Sequence, residues 1–352
     1  MSMLVATSDP AGPRLEAHRA RRRYSQNFLR DPGTIGRIID AIAPQPTDDI
    51  VEVGPGSGAL TAPLLARCER LTAVEIDRDL ARMLDQRFGA ERLTLICGDA
   101  LKIDWESLAR QAAGRLRIVG NLPYHISTPL LFAWLPVAPL VADQHLMLQK
   151  EVVERIVAPP GGRDYGRLSV MLQFRYRVER LFNVAPGAFA PAPKVQSSVI
   201  RMVPLAPDAM AVADVRAFSR VVTAAFGQRR KTLRNALAAV MNEAAIRNAG
   251  VDPGARAETL DIEAFARLAM QAAENPLPRP SPGSGRGETD CPSRPESPLS
   301  GLPEQGGLEA PLSGLPEQGG LEAPLSRLPE QGGLEAPLSR LRERGRGRGR
   351  AP

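Results

Sequence analysis

A chain of 352 residues, 43% of them hydrophobic, can bury a large core and has room for two folded domains plus further chain, which excludes a single small module. Its three cysteines, Cys68, Cys97 and Cys291, lie too far apart for a disulfide framework or a zinc-type spacing, and no uninterrupted apolar run is long enough to span a bilayer. The formal charge is +6, and residues 275–352 hold ten Arg and ten Asp or Glu, so the whole excess lies before residue 275 and favours a polyanionic partner for that part.

Residues 1–23 read as a basic arm carrying Arg14, Arg19, Arg21, Arg22 and Arg23. The arm has no apolar secretory core, so the cytoplasm is the expected compartment. From 24 to 203, strand-like runs at 49–53, 71–75, 93–97, 116–120 and 144–148 alternate with helical patterns such as 58–67 and 78–88. The runs are rich in Val, Leu and Ile and show little polar alternation, as strands buried on both faces of a parallel sheet do. This pattern predicts a doubly wound α/β sheet. Val203, Pro204, Leu205, Ala206 and Pro207 read as a linker. Beyond it the periodicity predicts helices only, at 213–226, 228–246 and 261–273, and hence a small all-helical domain over 204–274. Residues 300–312, 313–325 and 326–338 then repeat a Gly- and Pro-rich unit without aromatics. Such a unit cannot offset its ordering entropy by burial, so 275–352 is expected to be a disordered tail.

The strongest local signal is Val51-Glu52-Val53-Gly54-Pro55-Gly56-Ser57-Gly58. A buried strand runs into three glycines at alternate positions and then into a helix. Glycine lets the backbone turn sharply and approach a ligand, and the helix start offers unpaired amides. Gly58 follows Gly56 by two residues, whereas the dinucleotide fingerprint places its third glycine three after the second. The spacing is closer to an S-adenosylmethionine loop than to a pyrophosphate loop, with a dehydrogenase as the alternative. Glu75 closes the next strand and suits the two ribose hydroxyls of either ligand. Asp99, after the third strand, is placed to take an adenine amino group.

Asn121-Leu122-Pro123-Tyr124 follows the fourth strand, at the sheet edge where such folds bind ligands. An exocyclic amine is a poor nucleophile because its lone pair is delocalised into the ring. The Asn121 side-chain oxygen and the Leu122 carbonyl can accept its two N–H bonds and favour the charge that develops on attack. Pro123 stiffens the turn, and Tyr124 offers an aromatic face to a flipped-out base. A sulfonium is already a good leaving group, so no general base is required, and His125 is given no catalytic role. Trp105 and Trp134 read as packing, and Cys97 as buried in its strand.

Asn121-Leu122-Pro123-Tyr124 resembles the (Asn/Asp)-Pro-Pro-Tyr motif of methyltransferases acting on adenine and other planar amines. Together with Tyr24-Ser25-Gln26-Asn27-Phe28-Leu29, Gly166-Arg167-Leu168-Ser169-Val170, Phe189-Ala190-Pro191-Ala192-Pro193-Lys194-Val195 and Gln228-Arg229-Arg230-Lys231-Thr232-Leu233-Arg234-Asn235, it resembles the ribosomal RNA adenine N6-dimethyltransferase family, nearest its 16S branch. The resemblance runs from about residue 20 to 274. It implies a Rossmann-like class I methyltransferase domain at 24–203 followed by a helical RNA-binding domain at 204–274. It implies S-adenosylmethionine as methyl donor, held at Asn27, Leu29, Gly54, Glu75, Asp99 and Asn121, with catalysis at Asn121, Leu122 and Tyr124 and no metal. The substrate it implies is two adjacent adenines in a hairpin near the 3′ end of 16S RNA within the immature 30S subunit, each dimethylated by a monomeric enzyme.

RNA contacts are expected at Phe189, where a Pro-rich loop begins, at Lys194, and at Arg229, Arg230, Lys231 and Arg234 on one helix, whose charge suits a phosphate backbone. Two segments depart from the family pattern: Tyr24-Ser25 stands where Phe-Gly is usual, and Gln196 where Asp is usual. A 23S RNA methyltransferase of the macrolide-resistance type would share the fold and both loops. A ribosome-assembly factor with methylation secondary is a third reading.

Overall fold

The structure is a computed structural model that describes residues 27–206, 214–228 and 230–274. The arm expected at 1–23, the residues Tyr24, Ser25, Gln26 and Arg229, and the tail expected from 275 lie outside them. In chain order the elements are β1 (Phe28–Leu29), α1 (Pro32–Ile42), β2 (Ile50–Val53), α2 (Thr61–Leu65), β3 (Leu71–Glu75), α3 (Arg78–Phe88), β4 (Leu93–Cys97), α4 (Trp105–Gln111), β5 (Leu116–Asn121), α5 (Tyr124–Ala133) and β6 (Val141–Gln149). There follow α6 (Lys150–Val157), α7 (Arg167–Gln173), β7 (Tyr176–Val184), β8 (Phe189–Ala190), β9 (Ser197–Pro204), α8 (Val215–Gly227), α9 (Leu233–Ala236), α10 (Glu243–Asn248) and α11 (Ile262–Glu274).

All five expected strands are present and parallel, in a seven-stranded sheet ordered β4-β3-β2-β5-β6-β9-β7. The chain winds outward from β2 in both directions, and the crevice at the carboxyl ends of β2 and β5 is the topological switch point. The last two strands, β9 and β7, are antiparallel to their neighbours and were not among the expected ones. Edge strand β7 carries Arg177, Glu179 and Arg180 exposed, so it lacks the continuous apolar run of the parallel strands. Strand β9 extends through Val203 and Pro204, and Pro204 pairs with Tyr176, so the first two residues of the expected linker belong to the sheet.

Helices cover both faces. On one, α1 is fixed at its start by the Asp31 carboxylate, which accepts from the Thr34 amide at 2.7 Å, and it buries Ile38, Ile39 and Ile42 beside Val119, Met147 and Val199. On the other, Ile118, Leu146 and Leu148 share a continuous interior with Val170, Phe174, Phe218, Val222, Phe265 and Leu268. That interior carries the sheet core directly into the C-terminal helices. Phe174 stacks on Phe218 with ring centroids 4.0 Å apart, and the Tyr165 hydroxyl donates to the Leu260 carbonyl at 2.9 Å. Trp105 and Trp134 pack edge to face, as expected.

The helix expected over 228–246 is two short helices, α9 and α10. The Leu233 amide donates to the Ala255 carbonyl and the Arg234 amide to the Pro253 carbonyl, so the backbone turns away from a helical path at Thr232. A new start follows at Asn242, whose side chain accepts from the Ala245 amide at 2.8 Å.

Candidate active site

The loop after β2 builds the floor of a cavity of about 340 Å3. Gly54, Gly56 and Gly58 all have positive φ, at 69°, 58° and 84°, a region that side-chain-bearing residues rarely adopt. A Cβ on Gly56 would stand 3.2 Å from the Phe28 ring, so the missing carbon lets that ring pack tightly on the loop. Behind the loop, β5 approaches β2 so closely that a Cβ on Gly120 would lie 2.5 Å from the Val53 carbonyl oxygen. Sequence reading assigned Gly120 no role; the contact needs the strand pairing to be seen.

Glu75 ends β3 at the rim. Its Oε2 accepts from the Gly56 amide at 3.1 Å and its Oε1 from the Asp77 amide at 2.9 Å. It thereby fixes the loop while each oxygen retains a lone pair for a ligand hydroxyl. Burial raises its pKa despite those amide bonds. Asp99 follows β4, lines the same cavity, and accepts from the Leu101 amide at 3.0 Å. Glu52, quoted with the glycine loop but given no role from sequence, also lines the cavity. It is 2% exposed, accepts from the Thr61 hydroxyl at 2.7 Å, and has its pKa pushed up to about 7 by burial. A glutamate inside a strand buried on both faces was the available signal.

Asn121 ends β5 and lines the cavity with Leu122, Pro123 and Tyr124. Its Nδ2 donates to the Asn27 carbonyl at 3.2 Å, which leaves Oδ1 as the atom to accept from a substrate amine. The Leu122 amide donates to the Met147 carbonyl at 3.2 Å and holds the turn to β6. Tyr124 begins α5, and its hydroxyl oxygen lies 3.0 Å from Ser197 Oγ. Asn27 and Leu29 complete the lining. They are brought there by β1, which pairs antiparallel with β8, Leu29 opposite Phe189.

The structure therefore gathers Asn27, Leu29, Gly54, Glu75, Asp99, Asn121, Leu122 and Tyr124 around one cavity. It does not bring Phe189 into that lining: Phe189 is 5% exposed and packs with Leu29, Met147 and Val199. Lys194 is exposed on the loop that follows. Arg230 and Lys231 are exposed in a turn and Arg234 is exposed on α9, so these residues are not on one helix; Arg234 also lies 3.8 Å from Glu243. His125 is exposed at the cavity rim. Cys97 is exposed rather than buried, because β4 is the edge strand and Cys97 is its last residue. Among the described residues, no cluster of His, Cys, Asp and Glu is placed to hold a metal ion, and no helix is long and apolar enough to cross a membrane.

Known proteins resemble this chain in sequence and in fold. The chain is 54% identical over 262 residues to a protein of Pseudomonas fluorescens named ribosomal RNA small subunit methyltransferase A, covering 74% of this chain and 97% of that one. A protein of the same name from Aromatoleum aromaticum is 54% identical over 263 residues, covering 74% and 98%. Among solved structures, a dimethyladenosine transferase from Plasmodium falciparum superposes with a TM-score of 0.58 at 25% identity, covering 70% of this chain and 98% of that one. The 23S rRNA methyltransferase ErmE superposes with a TM-score of 0.53 at 28% identity, covering 70% and 100%. The family model described as ribosomal RNA adenine dimethylase matches residues 17–274, and the chain belongs to that family.

Proposed function

We propose that this chain transfers methyl groups from S-adenosylmethionine to the N6 amines of adenine in small-subunit ribosomal RNA. Two adjacent adenines in a hairpin near the 3′ end of the 16S RNA each receive two methyls, on the immature 30S subunit, in the cytoplasm, from a monomeric enzyme. The observation that carries this reading is one cavity shared by the positive-φ glycine loop, the buried Glu75 and the Asn121-Leu122-Pro123-Tyr124 turn.

The residues present fit S-adenosylmethionine. Glu75 has oxygens for the two ribose hydroxyls, Asp99 stands at the next strand end for the adenine amine, and Gly54 and Gly56 carry no Cβ to occupy the floor. When bound, the methyl donor supplies a carbon activated by a sulfonium. The chain's own residues do the rest. Asn121 Oδ1 and the Leu122 carbonyl accept the N6 hydrogens and favour the positive charge that grows on nitrogen. Tyr124 holds the flipped base by stacking, worth about 1–3 kcal/mol per base. The proton is lost to solvent at the rim once nitrogen is cationic.

The segment 204–274 serves as the RNA-docking domain on this reading, with Arg230, Lys231 and Arg234 against phosphates and Lys194 on the loop nearer the target. The 23S alternative fits less well, given 28% identity to ErmE against 54% to small-subunit methyltransferases over nearly their whole length. The test is incubation of the full chain with labelled S-adenosylmethionine and, in separate reactions, unmethylated 30S particles and 50S particles, followed by mass spectrometry of RNA digests. Label in N6-dimethyladenine of the 16S hairpin is expected; label confined to 23S RNA, or none, overturns the reading.

A further inference from the structure

We propose that Ser197 is a positioning residue for methyl transfer: its hydroxyl, acting through Tyr124, holds the platform of the target base in one place. The inference rests on the function proposed above and names a residue to which neither the motifs nor the comparisons give a role.

Tyr124 is the first residue of α5, where Pro123 provides no side-chain cap. A half-buried aromatic ring there can swing about its first side-chain torsion, and a contact at the hydroxyl, on the ring's long axis, fixes where the ring stands. The contact is Ser197 Oγ, 3.0 Å from the phenol oxygen. Ser197 is well suited to hold something still. It is 1% exposed, and its backbone is paired on one side with Gln149 of β6 and on the other with Val184 of β7. Tyr124 lines the cavity and Ser197 does not, so the serine itself does not touch the reacting groups. Ser197 also ends the loop 191–196, which carries the exposed Lys194. The platform and the loop assigned to RNA thus share one anchor.

A buried serine needs a hydrogen-bond partner in any case, so a purely structural pairing is the competing account. Chemistry separates the two. Attack requires the amine lone pair aligned with the reacting carbon, and small misplacements are costly in rate. The second transfer is the more demanding one, because a base that already carries a methyl must be seated in the same place. Loss of the tether should therefore slow the second transfer more than the first, while a structural bond would lower stability and leave product distribution alone.

The experiment compares Ser197→Ala, Tyr124→Phe, the double variant and Ser197→Thr as full chains on unmethylated 30S particles. The readouts are single-turnover rates, the ratio of mono- to dimethyladenine, affinity for S-adenosylmethionine, and fluorine NMR of fluorotyrosine-labelled protein without substrate. Each single variant should slow the second transfer by about 3- to 10-fold, the effect of one ordinary hydrogen bond, and accumulate N6-monomethyladenine. Cofactor affinity should hold, the double variant should be no worse than either single one, and Ser197→Thr should recover most of the rate. The Tyr124 resonance should shift or broaden in Ser197→Ala. Multiplicative effects in the double variant, or a folded Ser197→Ala with wild-type product ratio, overturn the inference alone. Should Ser197→Ala not fold, a wild-type product ratio in Tyr124→Phe overturns it equally. Wild-type protein that makes no N6-dimethyladenine overturns the underlying function and this inference with it.

Discussion

An amide side chain can present either nitrogen or oxygen, and at Asn121 the Asn27 carbonyl makes the choice. By taking an Nδ2 hydrogen at 3.2 Å it leaves Oδ1 as the acceptor, the atom that meets the substrate amine on the function proposed above. Asn121→Ala should lower kcat by about 10²–10³-fold, the usual effect of removing one well-placed polar group from a preorganised site, and should also weaken cofactor binding, since Asn121 is expected to hold the cofactor edge. A loss below tenfold in single-turnover assays would remove Asn121 from the chemistry. Glu52 offers a second residue-level test. Its pKa of about 7 stands above the ordinary 4.5, so between these values the folded chain keeps a proton that the unfolded chain has released. Stability contributed by the protonated form is whole below the ordinary pKa and is lost as pH rises through the folded one. Glu52→Gln can still accept from Thr61 but cannot ionise. Its melting temperature should gain on wild type between about pH 5 and pH 8, by on the order of 3 kcal/mol of stability at most. An equal difference at both ends would mean that the carboxyl does not titrate there.

At the scale of elements, the exposed cations around α9 pose a plain question of charge. Arg234 and Arg247 both reach Glu243, at 3.8 Å and 2.7 Å, so part of this surface is already internally paired. Arg230 has no ion pair among those found in the described residues and should carry more of the RNA contact. Arg230→Glu should weaken RNA binding and reduce its salt slope by about one or more, with Arg234→Glu milder. Filter binding across a salt series reads this, and an unaltered slope for Arg230→Glu would make the turn a solvated face. These elements also show where local patterns run out. The five parallel strands and the glycine loop were legible because burial on both faces and a run of turns leave marks in adjacent residues. Strands β7 and β9 were not, since charged side chains interrupt their apolar pattern. The break at Thr232 depends on carbonyls of Pro253 and Ala255 some twenty residues away. Within the site, Glu75, Asp99 and Asn121 could be named from their strand ends. The Asn27–Asn121 and Tyr124–Ser197 bonds span 94 and 73 residues and needed the fold.

For the molecule as a whole, the stacked pair Phe174 and Phe218 joins the sheet interior to the C-terminal helices, and both rings are essentially buried. Removing Phe218 should cost about 3–5 kcal/mol, as large-to-small changes in a close-packed interior do. It should also lower the melting of both parts together. Tryptophan fluorescence reports the sheet side through Trp105 and Trp134, and far-ultraviolet circular dichroism reports all helices. The two transitions should remain coincident and move down in Phe218→Ala. Separation of the two curves would mean that the helical segment folds on its own.

That shared interior has a consequence for target choice. With one continuous interior running from the sheet into the helices, α9 is expected to keep a set distance from Asn121. On the docking proposed here the enzyme then works as a calliper: one jaw rests on an RNA helix and the other closes on whatever base lies a set span away. On that proposal, two neighbouring adenines would be selected from a whole subunit without any sequence being read at the point of docking. The information lies in the architecture of the RNA, and a hairpin moved outward by one inserted base pair would deliver the wrong nucleotide to Tyr124.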